Sequence, residues 1–571
     1  MPKYPKKKLA QLIIQACVQN DIEQVVISPG SRNAPLTLGF VNHPSVKTFS
    51  VVDERCAAFF ALGMAQQTRK TVALICTSGS ALLNYYPAVA EAYYSRIPLL
   101  IISADRPKRL IDIGDGQTIR QEGVFGQHIF YQAGLEEPED SEKEIPVEDI
   151  LGNNANEIKK ALKIAQAEQG PVHLNVPLDE PLYETLDVLD EFRHLLSEEE
   201  PGKQNSLLDE VPLNVEELEE FAKIWNQASK KMVLIGSSDP DKLLQTQMSH
   251  LIKDPSVVVL TETTSNLNDP AFINNIDQLI FPMKETEFES FKPEILLTLG
   301  GMVVSKKVKQ LLRMYSPDHH WHIDRRQALD TFLCLTHHFE ISPQLFFSQF
   351  FFLTQIRQSD FQDRWLELKK QRKELHKKFL DQAPYSDLKV FEKVFKSLPF
   401  GTHLQLSNSS IIRYSQLFDI PSDKTIFCNR GASGIDGSTS TALGAACVKE
   451  GQTVFITGDI SFFYDSNALW NNYIPQNFRI IVINNGGGGI FKIIPGPKSS
   501  GALDYFETTH SLNASHLCEM FKFSYRSSRT TEELDAILKD FYHPSGRPAL
   551  LEIFTSEEDN DSILRTYFKS I

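Results

Sequence analysis

Two short stretches of this sequence hold groups that together could bind a cation and a phosphate. The first is Gly458-Asp459-Ile460-Ser461 and the second is Asn484-Asn485-Gly486-Gly487-Gly488-Gly489. Asp459 follows the apolar run Thr453–Thr457, and Asn485 follows the apolar run Arg479–Ile483. Both side chains therefore fall at the C-terminal edges of expected strands, where they can meet. The Asp459 carboxylate, the Asn485 amide oxygen and a backbone carbonyl at Gly487 are hard oxygen donors. Such a set suits Mg²⁺, which takes few protein ligands and completes its shell with phosphate oxygens. Each half alone is an ordinary structural turn, and only the pair points to a metal. A third candidate is Glu54 in Val51-Val52-Asp53-Glu54-Arg55, at a strand-to-helix junction ahead of AAFFALGMA. There it either complements the helix start or acts as a buried acid.

The composition limits what these groups can serve. The chain has 571 residues, with 58 Lys plus Arg against 73 Asp plus Glu, a formal charge of −15. A general basic footprint for nucleic acid or an acidic membrane is excluded, so an anionic ligand needs a local cluster of cations. No apolar run reaches the ~18 residues that span a bilayer, so no membrane insertion is expected. The seven cysteines are odd in number and scattered, and no C-x-x-C pair occurs. They read as reduced, buried thiols in a cytoplasmic protein. His319, His320 and His322 could place two imidazoles on one strand face, but no third ligand is evident; His337 and His338 are adjacent and cannot share one. No phosphate loop, G-x-S-x-G elbow or H-E-x-x-H helix is present, which disfavours nucleotide triphosphate and hydrolase chemistry.

The elements that must position the candidates follow a repeated pattern. Apolar runs at Gln24–Ser28, Thr48–Val52, Thr71–Cys76 and Pro98–Ser103 alternate with helical stretches, as in parallel βαβ units covered on both faces. Ligands of such a sheet sit beyond the C-terminal ends of its strands. An acidic, irregular stretch follows, and then strand candidates at Met232–Gly236, Val257–Thr261, Ile295–Leu299 and His320–Ile323. The charged segment Ser359–Lys378 reads as a solvated connector helix. The expected layout is residues 1–185 as a first α/β domain, 186–214 as a linker, 215–355 as a central α/β domain, 356–386 as the connector and 387–571 as a last α/β domain. Phe59–Val89 and Ser440–Leu469 share a small-residue helix, an apolar strand, a Gly-containing turn and a following helix. Duplication or shared βαβ composition explains this equally well.

The Gly-Asp pair followed after a spacer by Asn-Asn resembles the signature of the thiamine diphosphate enzymes, with Ile460 where a third glycine is usual. Within that superfamily, several segments resemble the carboligases of menaquinone biosynthesis. They are ISPGSRNAPL (Ile27–Leu36), DERCAAFFALG (Asp53–Gly63), TSGSALLNYYPAVAEAYYSRIPLLIISADRP (Thr77–Pro107), GQTIRQEGVFG (Gly116–Gly126), SNSSIIR (Ser407–Arg413), NRGASGIDGSTSTALG (Asn429–Gly444) and GDISFFYDSNAL (Gly458–Leu469). Their order and spacing cover nearly the whole chain, and NRGASGIDG and SPGSR are not shared by decarboxylases or acetolactate synthases. The central domain matches only through LGGMVVSKK (Leu299–Lys307).

The resemblance implies three doubly wound parallel-sheet α/β domains, the first binding the pyrimidine and the last the diphosphate of thiamine diphosphate. It implies Mg²⁺ as the metal, with Mn²⁺ as an alternative occupant, at Asp459, Asn485 and Gly487. Glu54 becomes the catalytic acid at the aminopyrimidine, which requires surroundings that favour its neutral form against the helix dipole. The implied reaction is decarboxylation of 2-oxoglutarate and 1,4-addition of the resulting succinyl-semialdehyde carbanion equivalent to isochorismate. Both substrates are dianions, and the matching motifs supply Arg32, Arg106, Lys306, Arg413 and Arg430, whose planar Arg forks suit carboxylates. Ser31, Gln117 and Ser409 become polar substrate contacts; Gly116 stands where some relatives carry Asn. Ile435 matches the apolar residue that props the cofactor in its bent form, Ile490 and Phe491 wall the site, and Asn408 and Ser461 approach the diphosphate. The family arrangement also implies a homodimer or homotetramer with sites between subunits. The alternative enzyme is another thiamine-dependent 2-oxoacid decarboxylase or acetolactate-type synthase, and the non-enzyme alternative is a degenerate cofactor-binding protein.

Overall fold

The computed structural model describes residues 3–138, 145–197, 210–493, 496, 499–556 and 559–571. Three parallel sheets organise the chain. In the first, the spatial order is Lys47–Ser50, Gln24–Ile27, Val72–Cys76, Leu99–Asp105, Val172–Pro177, Tyr131–Gly134. In the last it is Thr425–Cys428, His403–Leu406, Thr453–Gly458, Arg479–Asn484, Ala549–Phe554, Ser524–Ser528. Ranked by position in the chain, both sheets read second, first, third, fourth, sixth, fifth. The central sheet has five strands, Val257–Thr261, Lys231–Ile235, Ile295–Leu299, His319–Ile323 and His337–Phe339, ranked second, first, third, fourth, fifth. All neighbours within these sheets pair in parallel, as the continuously apolar strand sequences predict.

Alternation along the strands feeds two cores per sheet. Val26, Leu74 and Ile101 point to one side of the first sheet, while Val25, Ala73, Ile75, Leu100 and Ile102 point to the other. The first of these cores does not stop at the domain. Phe455, Ile480 and Val482 of the last sheet and Phe462 of the helix Asp459–Tyr464 belong to it as well. The junction is a crossing of two small-residue helices, Glu54–Thr68 and Ser438–Val448. A Cβ on Gly63 would lie 2.0 Å from the Thr441 carbonyl oxygen, and one on Gly444 would lie 1.9 Å from the Phe60 carbonyl oxygen. Each glycine thus meets the backbone three residues before the other, a two-fold arrangement built on the Ala-Leu-Gly shared by the two helices. With the identical strand order, this favours duplication over shared composition for the internal repeat.

The outer boundaries differ from expectation in two places. Phe192 and Leu196 pack into the other core of the first sheet, so the first folded unit extends past residue 185; the acidic stretch 198–209 lies outside the described residues. The connector, Phe361–Gln382, is not simply solvated. Its Phe361 and Trp365 are buried in the central core and its Leu380 in the last one, so the helix pins those two domains together. The central histidines do structural work: the hydroxyl of Thr298 bonds His320 at 2.9 Å and His322 at 2.8 Å, and burial pushes both imidazoles down to about 4.

The helix crossing makes a mutational prediction. Gly444→Val should lower stability by about 2 kcal/mol or more, because the new atoms meet backbone rather than a movable side chain. Gly152→Ala, in the open middle of helix Val147–Glu168 with nothing within 4 Å of the added Cβ, should be neutral or stabilising. Thermal unfolding of the two variants checks the contrast.

Candidate active site

The C-terminal ends of the last sheet enclose a cavity lined by Asp387, Asn408, Ser409, Ile435, Asp459, Ser461, Asn485 and Gly487, among others. Asp459 opens the helix Asp459–Tyr464, and its two oxygens accept from the backbone N–H groups of Ile460 at 2.7 Å and Gly487 at 3.0 Å. The Gly487 N–H thereby bends the glycine run back over the carboxylate. A Cβ at Gly487 would lie 2.9 Å from the Glu507 carbonyl oxygen, so only glycine fits that turn. The Asn485 amide nitrogen donates to Asp387 at 3.0 Å, while its oxygen is buried without a hydrogen-bond partner among the described residues. An unpaired buried amide oxygen beside a buried carboxylate is costly unless something fills the space between. A divalent cation with its phosphate oxygens fits that requirement.

Around this pocket, Asn408 uses its whole amide on one loop. Its nitrogen donates to the carbonyls of Asn429 and Gly434, each at 2.7 Å, and its oxygen accepts from Arg430 at 2.8 Å. The Ser461 hydroxyl donates to the Ile435 carbonyl at 3.0 Å. Ile490 and Phe491 are half-buried at the start of a short helix, with the Phe491 ring 5.5 Å from that of Phe506. Ser409 holds φ 66° and ψ −128°, a conformation that costs a side-chain-bearing residue about 1–3 kcal/mol and collects at ligand sites. Gln117 also sits at positive φ, 54°.

The candidate cations divide into two sets. Arg413 is mostly buried, and burial lowers its affinity for its proton while the Asp277 carboxylate opposes that effect and Arg430 adds to it. The Nε atoms of Arg413 and Arg430 are both buried, without partners among the described residues. Lys306 opens the helix Lys306–Met314 with an exposed side chain. In the first domain, Arg32 is buried, donates to the Leu178 carbonyl at 2.8 Å and pairs with Glu180 at 3.3 Å. Arg106 donates to the Gly116 carbonyl at 3.0 Å and pairs with Asp115 at 3.2 Å, beside the exposed Gln117; Ser31 is exposed next to Arg32. Among the described residues, no hydrogen bond or ion pair joins the set of Ser31, Arg32, Arg106 and Gln117 to the set of Lys306, Ser409, Arg413 and Arg430.

Glu54 belongs with the first set. It is half-buried, accepts from the Asn84 amide at 3.3 Å, and does not line the Asp459 cavity. Its neighbours are anchored on the last domain instead. Asp53 caps the helix through the Cys56 N–H at 3.1 Å and accepts from Asn467 at 2.9 Å, and Arg55 donates to the Tyr464 carbonyl at 2.9 Å. The two groups of candidate residues thus sit on two domains of one chain that side-chain hydrogen bonds tie together.

Two family profiles match these halves. A thiamine pyrophosphate enzyme N-terminal TPP binding domain covers residues 7–133, and a thiamine pyrophosphate enzyme C-terminal TPP binding domain covers residues 410–553. The chain is also 50% identical, over 100% of both chains, to the 2-succinyl-5-enolpyruvyl-6-hydroxy-3-cyclohexene-1-carboxylate synthases of Flavobacterium psychrophilum and Flavobacterium johnsoniae. It is 35% identical to that of Porphyromonas gingivalis, over 100% of this chain and 98% of the relative. The chain belongs to the 2-succinyl-5-enolpyruvyl-6-hydroxy-3-cyclohexene-1-carboxylate synthase family. It is an enzyme that depends on thiamine diphosphate.

For a member of this synthase family, the structure adds residues that motif reading passes over. Asp387, capped into its helix by Ser386, holds the Asn485 amide so that the oxygen faces the cavity. Glu262 accepts from the Val304 and Ser305 N–H groups, each at 2.6 Å, and so fixes the turn before Lys306. Lys309 stands one turn beyond Lys306, close enough to Glu262, Arg430 and Arg413 to feel their charges. Only Lys309 carried a usable signal, its i+3 spacing from Lys306 on one helix face. Asp465 ties the halves together. It accepts from the Ser440 N–H at 2.7 Å and the Ser440 hydroxyl at 2.9 Å, and lies 3.7 Å from Arg55.

Burial pushes the Asp465 carboxyl up from 3.8 to about 7, against the pull of the Ser440 bonds and Arg55. The folded state then holds a proton that the unfolded chain releases, so this group's contribution to stability is full below about pH 4 and is lost as pH rises through about 7. Asp465→Asn should flatten the fall in stability across that window, read by denaturant unfolding at a series of pH values.

Proposed function

We propose that the enzyme joins 2-oxoglutarate to isochorismate in menaquinone biosynthesis. The four carbons left after CO₂ departs add 1,4 to the isochorismate ring, and one proton is taken up. The product is 2-succinyl-5-enolpyruvyl-6-hydroxy-3-cyclohexene-1-carboxylate, the compound after which the relatives are named. The observation that carries this reading is the set of cations on motif loops at strand ends, in a chain whose net charge is −15. Two dianions have four carboxylates to place; a plain decarboxylase of pyruvate has one and does not need Arg32, Arg413 and Arg430 together.

Thiamine diphosphate, when bound, supplies the electron sink that lets a 2-oxo acid lose CO₂ and react as an acyl anion equivalent. Asp459, the Asn485 oxygen and the Gly487 carbonyl hold Mg²⁺, and through it the diphosphate; Asn408 and Ser461 shape the same pocket. Glu54 holds a proton at the aminopyrimidine N1′. Ile435, Ile490 and Phe491 exclude water and support the ring. Arg32, Arg106, Lys306, Arg413 and Arg430 take the substrate carboxylates, and Ser31, Gln117 and Ser409 orient their polar groups.

The active unit in this reading is at least a homodimer, with Glu54 of one chain closing over the Asp459 pocket of the other. The partial exposure of Glu54 supports this, as do the exposed apolar side chains beside it in sequence and on its hydrogen-bond partner's helix, Val52 at 41% and Leu83 at 44%. We place the enzyme in the cytoplasm: no helix among the described residues is long and apolar enough to cross a membrane, and the seven cysteines are unpaired.

Consumption of isochorismate in the presence of 2-oxoglutarate, thiamine diphosphate and Mg²⁺ is the deciding assay, and no consumption by cofactor-loaded protein sinks the proposal. Glu54→Gln should abolish turnover and leave magnesium diphosphate binding largely intact, measured by calorimetry. Asp387→Leu frees the Asn485 amide to rotate and should weaken cation-dependent cofactor binding by about 10–100-fold, the range typical of groups that orient a metal ligand. A Mg²⁺ titration followed by protein fluorescence reads that loss without turnover.

A further inference from the structure

The loop Asn429–Ile435 carries both Arg430 and Ile435, yet almost nothing in its own sequence explains why it holds one shape. Its carbonyl side is held by the last domain, through Asn408 to Asn429 and Gly434 and through Ser461 to Ile435. Its N–H side is held by the first domain. Glu91, on the helix Tyr86–Ser95, is 2% exposed and accepts from three successive backbone N–H groups: Gly431 at 2.7 Å, Ala432 at 2.7 Å and Ser433 at 3.1 Å. The Ser95 hydroxyl donates to the same carboxylate at 2.7 Å.

Successive N–H groups converging on one point form an anion-binding concavity, and here the anion is a side chain from another domain. Hydrogen bonds to a buried carboxylate are among the stronger ones, and losing one leaves a buried donor unpaired. The contact is also close. A Cβ on Gly431 would lie 2.6 Å from the Glu91 carbonyl oxygen and 2.7 Å from the Ser95 hydroxyl, so the glycine is what lets the loop reach the helix. Ser433 sits at φ 62°, a left-handed conformation that the chain adopts at a cost unless its surroundings compensate.

We propose that Glu91 is a positioning residue for substrate binding: it fixes the loop that carries Ile435, which lines the pocket, and Arg430, which bonds the pocket residue Asn408, and so makes the first domain set the geometry of a last-domain arginine. The inference rests on the proposed role of Arg430 at a substrate carboxylate. Ordinary interdomain cohesion would not require the carboxylate to address three consecutive N–H groups of this particular loop.

The variant E91Q keeps the length of the side chain but turns an acceptor oxygen into an N–H₂ group facing N–H donors. In the full-length protein we expect hydrogen exchange over residues 430–436 to quicken about tenfold or more, while exchange in the sheet strands stays unchanged. We expect the KM of the substrate whose binding R430A weakens to rise about tenfold, with kcat altered less, and E91Q/R430A to match R430A alone. Ser95→Ala, which removes only one bond to Glu91, should shift exchange in the same direction by less and keeps the test open should E91Q fold poorly. Unchanged loop exchange in both variants overturns the role of Glu91 whatever Arg430 does. Full additivity of E91Q with R430A overturns the proposed coupling. An R430A enzyme with unchanged KM for both substrates overturns instead the substrate role of Arg430, a separate result from the exchange.

Discussion

The backbone-to-backbone crossing of helices Glu54–Thr68 and Ser438–Val448 governs the placement of nearly every group discussed above. Gly63 and Gly444 let each helix approach the other's carbonyls more closely than any side chain permits. Because the approach is fixed by main-chain atoms, it has little freedom to adjust. The consequences run outward from both helix starts. Glu54 begins one helix, and its flanking residues Asp53 and Arg55 bond to Asn467, just beyond the Asp459 helix, and to Tyr464, its last residue. Ser438 begins the other, immediately after the loop that Glu91 holds. A shared core, with Leu74 and Ile101 of one sheet and Phe455 and Ile480 of the other, supplies the burial that keeps the crossing closed.

Cations in an acidic protein raise a second constraint. A guanidinium taken out of water needs compensation before any ligand arrives. Each arginine proposed for the substrates has some: Arg32 has Glu180 and a carbonyl, Arg106 has Asp115 and a carbonyl, Arg413 has the charge of Asp277, and Arg430 has the Asn408 oxygen. The compensation is incomplete for Arg413 and Arg430, whose Nε donors are buried and unpaired. In the proposed reading, a carboxylate entering there satisfies donors left open among the described residues, which gives it an advantage over neutral ligands.

The chemistry-bearing residues were readable in the sequence where a motif and a strand end coincide. Asp459, Asn485 and Gly487 follow two adjacent apolar strands, so pattern put them forward as a group; Glu54 stands at a strand-to-helix junction, where pattern left its role open and the family resemblance singled it out. Asp387, Glu91, Glu262 and Asp465 were not readable. They are ordinary acids on helices and loops, and each acts on a group far away in the chain: Glu91 on residues 431–433, Asp387 on Asn485. The same limit applies to the fold. Val72–Cys76 and Arg479–Asn484 announce themselves by continuous apolar residues, whereas Val172–Pro177 contains His173 and Asn175. Those two are tolerated inside because Ser103 bonds both and Gln121 and Asp105 complete the shell of Asn175. Such networks need tertiary partners before they make sense.

The matching strand orders and the two-fold helix crossing favour descent of the first and last domains from one unit, and the divergence between them is then informative. At equivalent places after the third strand, one copy carries Thr77-Ser78-Gly79-Ser80 and the other Asp459-Ile460-Ser461. At the start of the crossing helix, one carries Glu54 and the other Ser438. Each copy has kept an acid where the other has a small polar residue. A cofactor with a heteroaromatic base at one end and a diphosphate at the other asks for that division, since a proton-holding acid and a metal-holding acid impose opposite demands on their surroundings. The first needs a setting in which the carboxyl stays neutral part of the time; the second needs one in which it stays ionised. Two copies of one scaffold let the two settings diverge independently. Because the crossing holds their two sites apart in a single chain, the proposed pairing of chains is the step that brings them together.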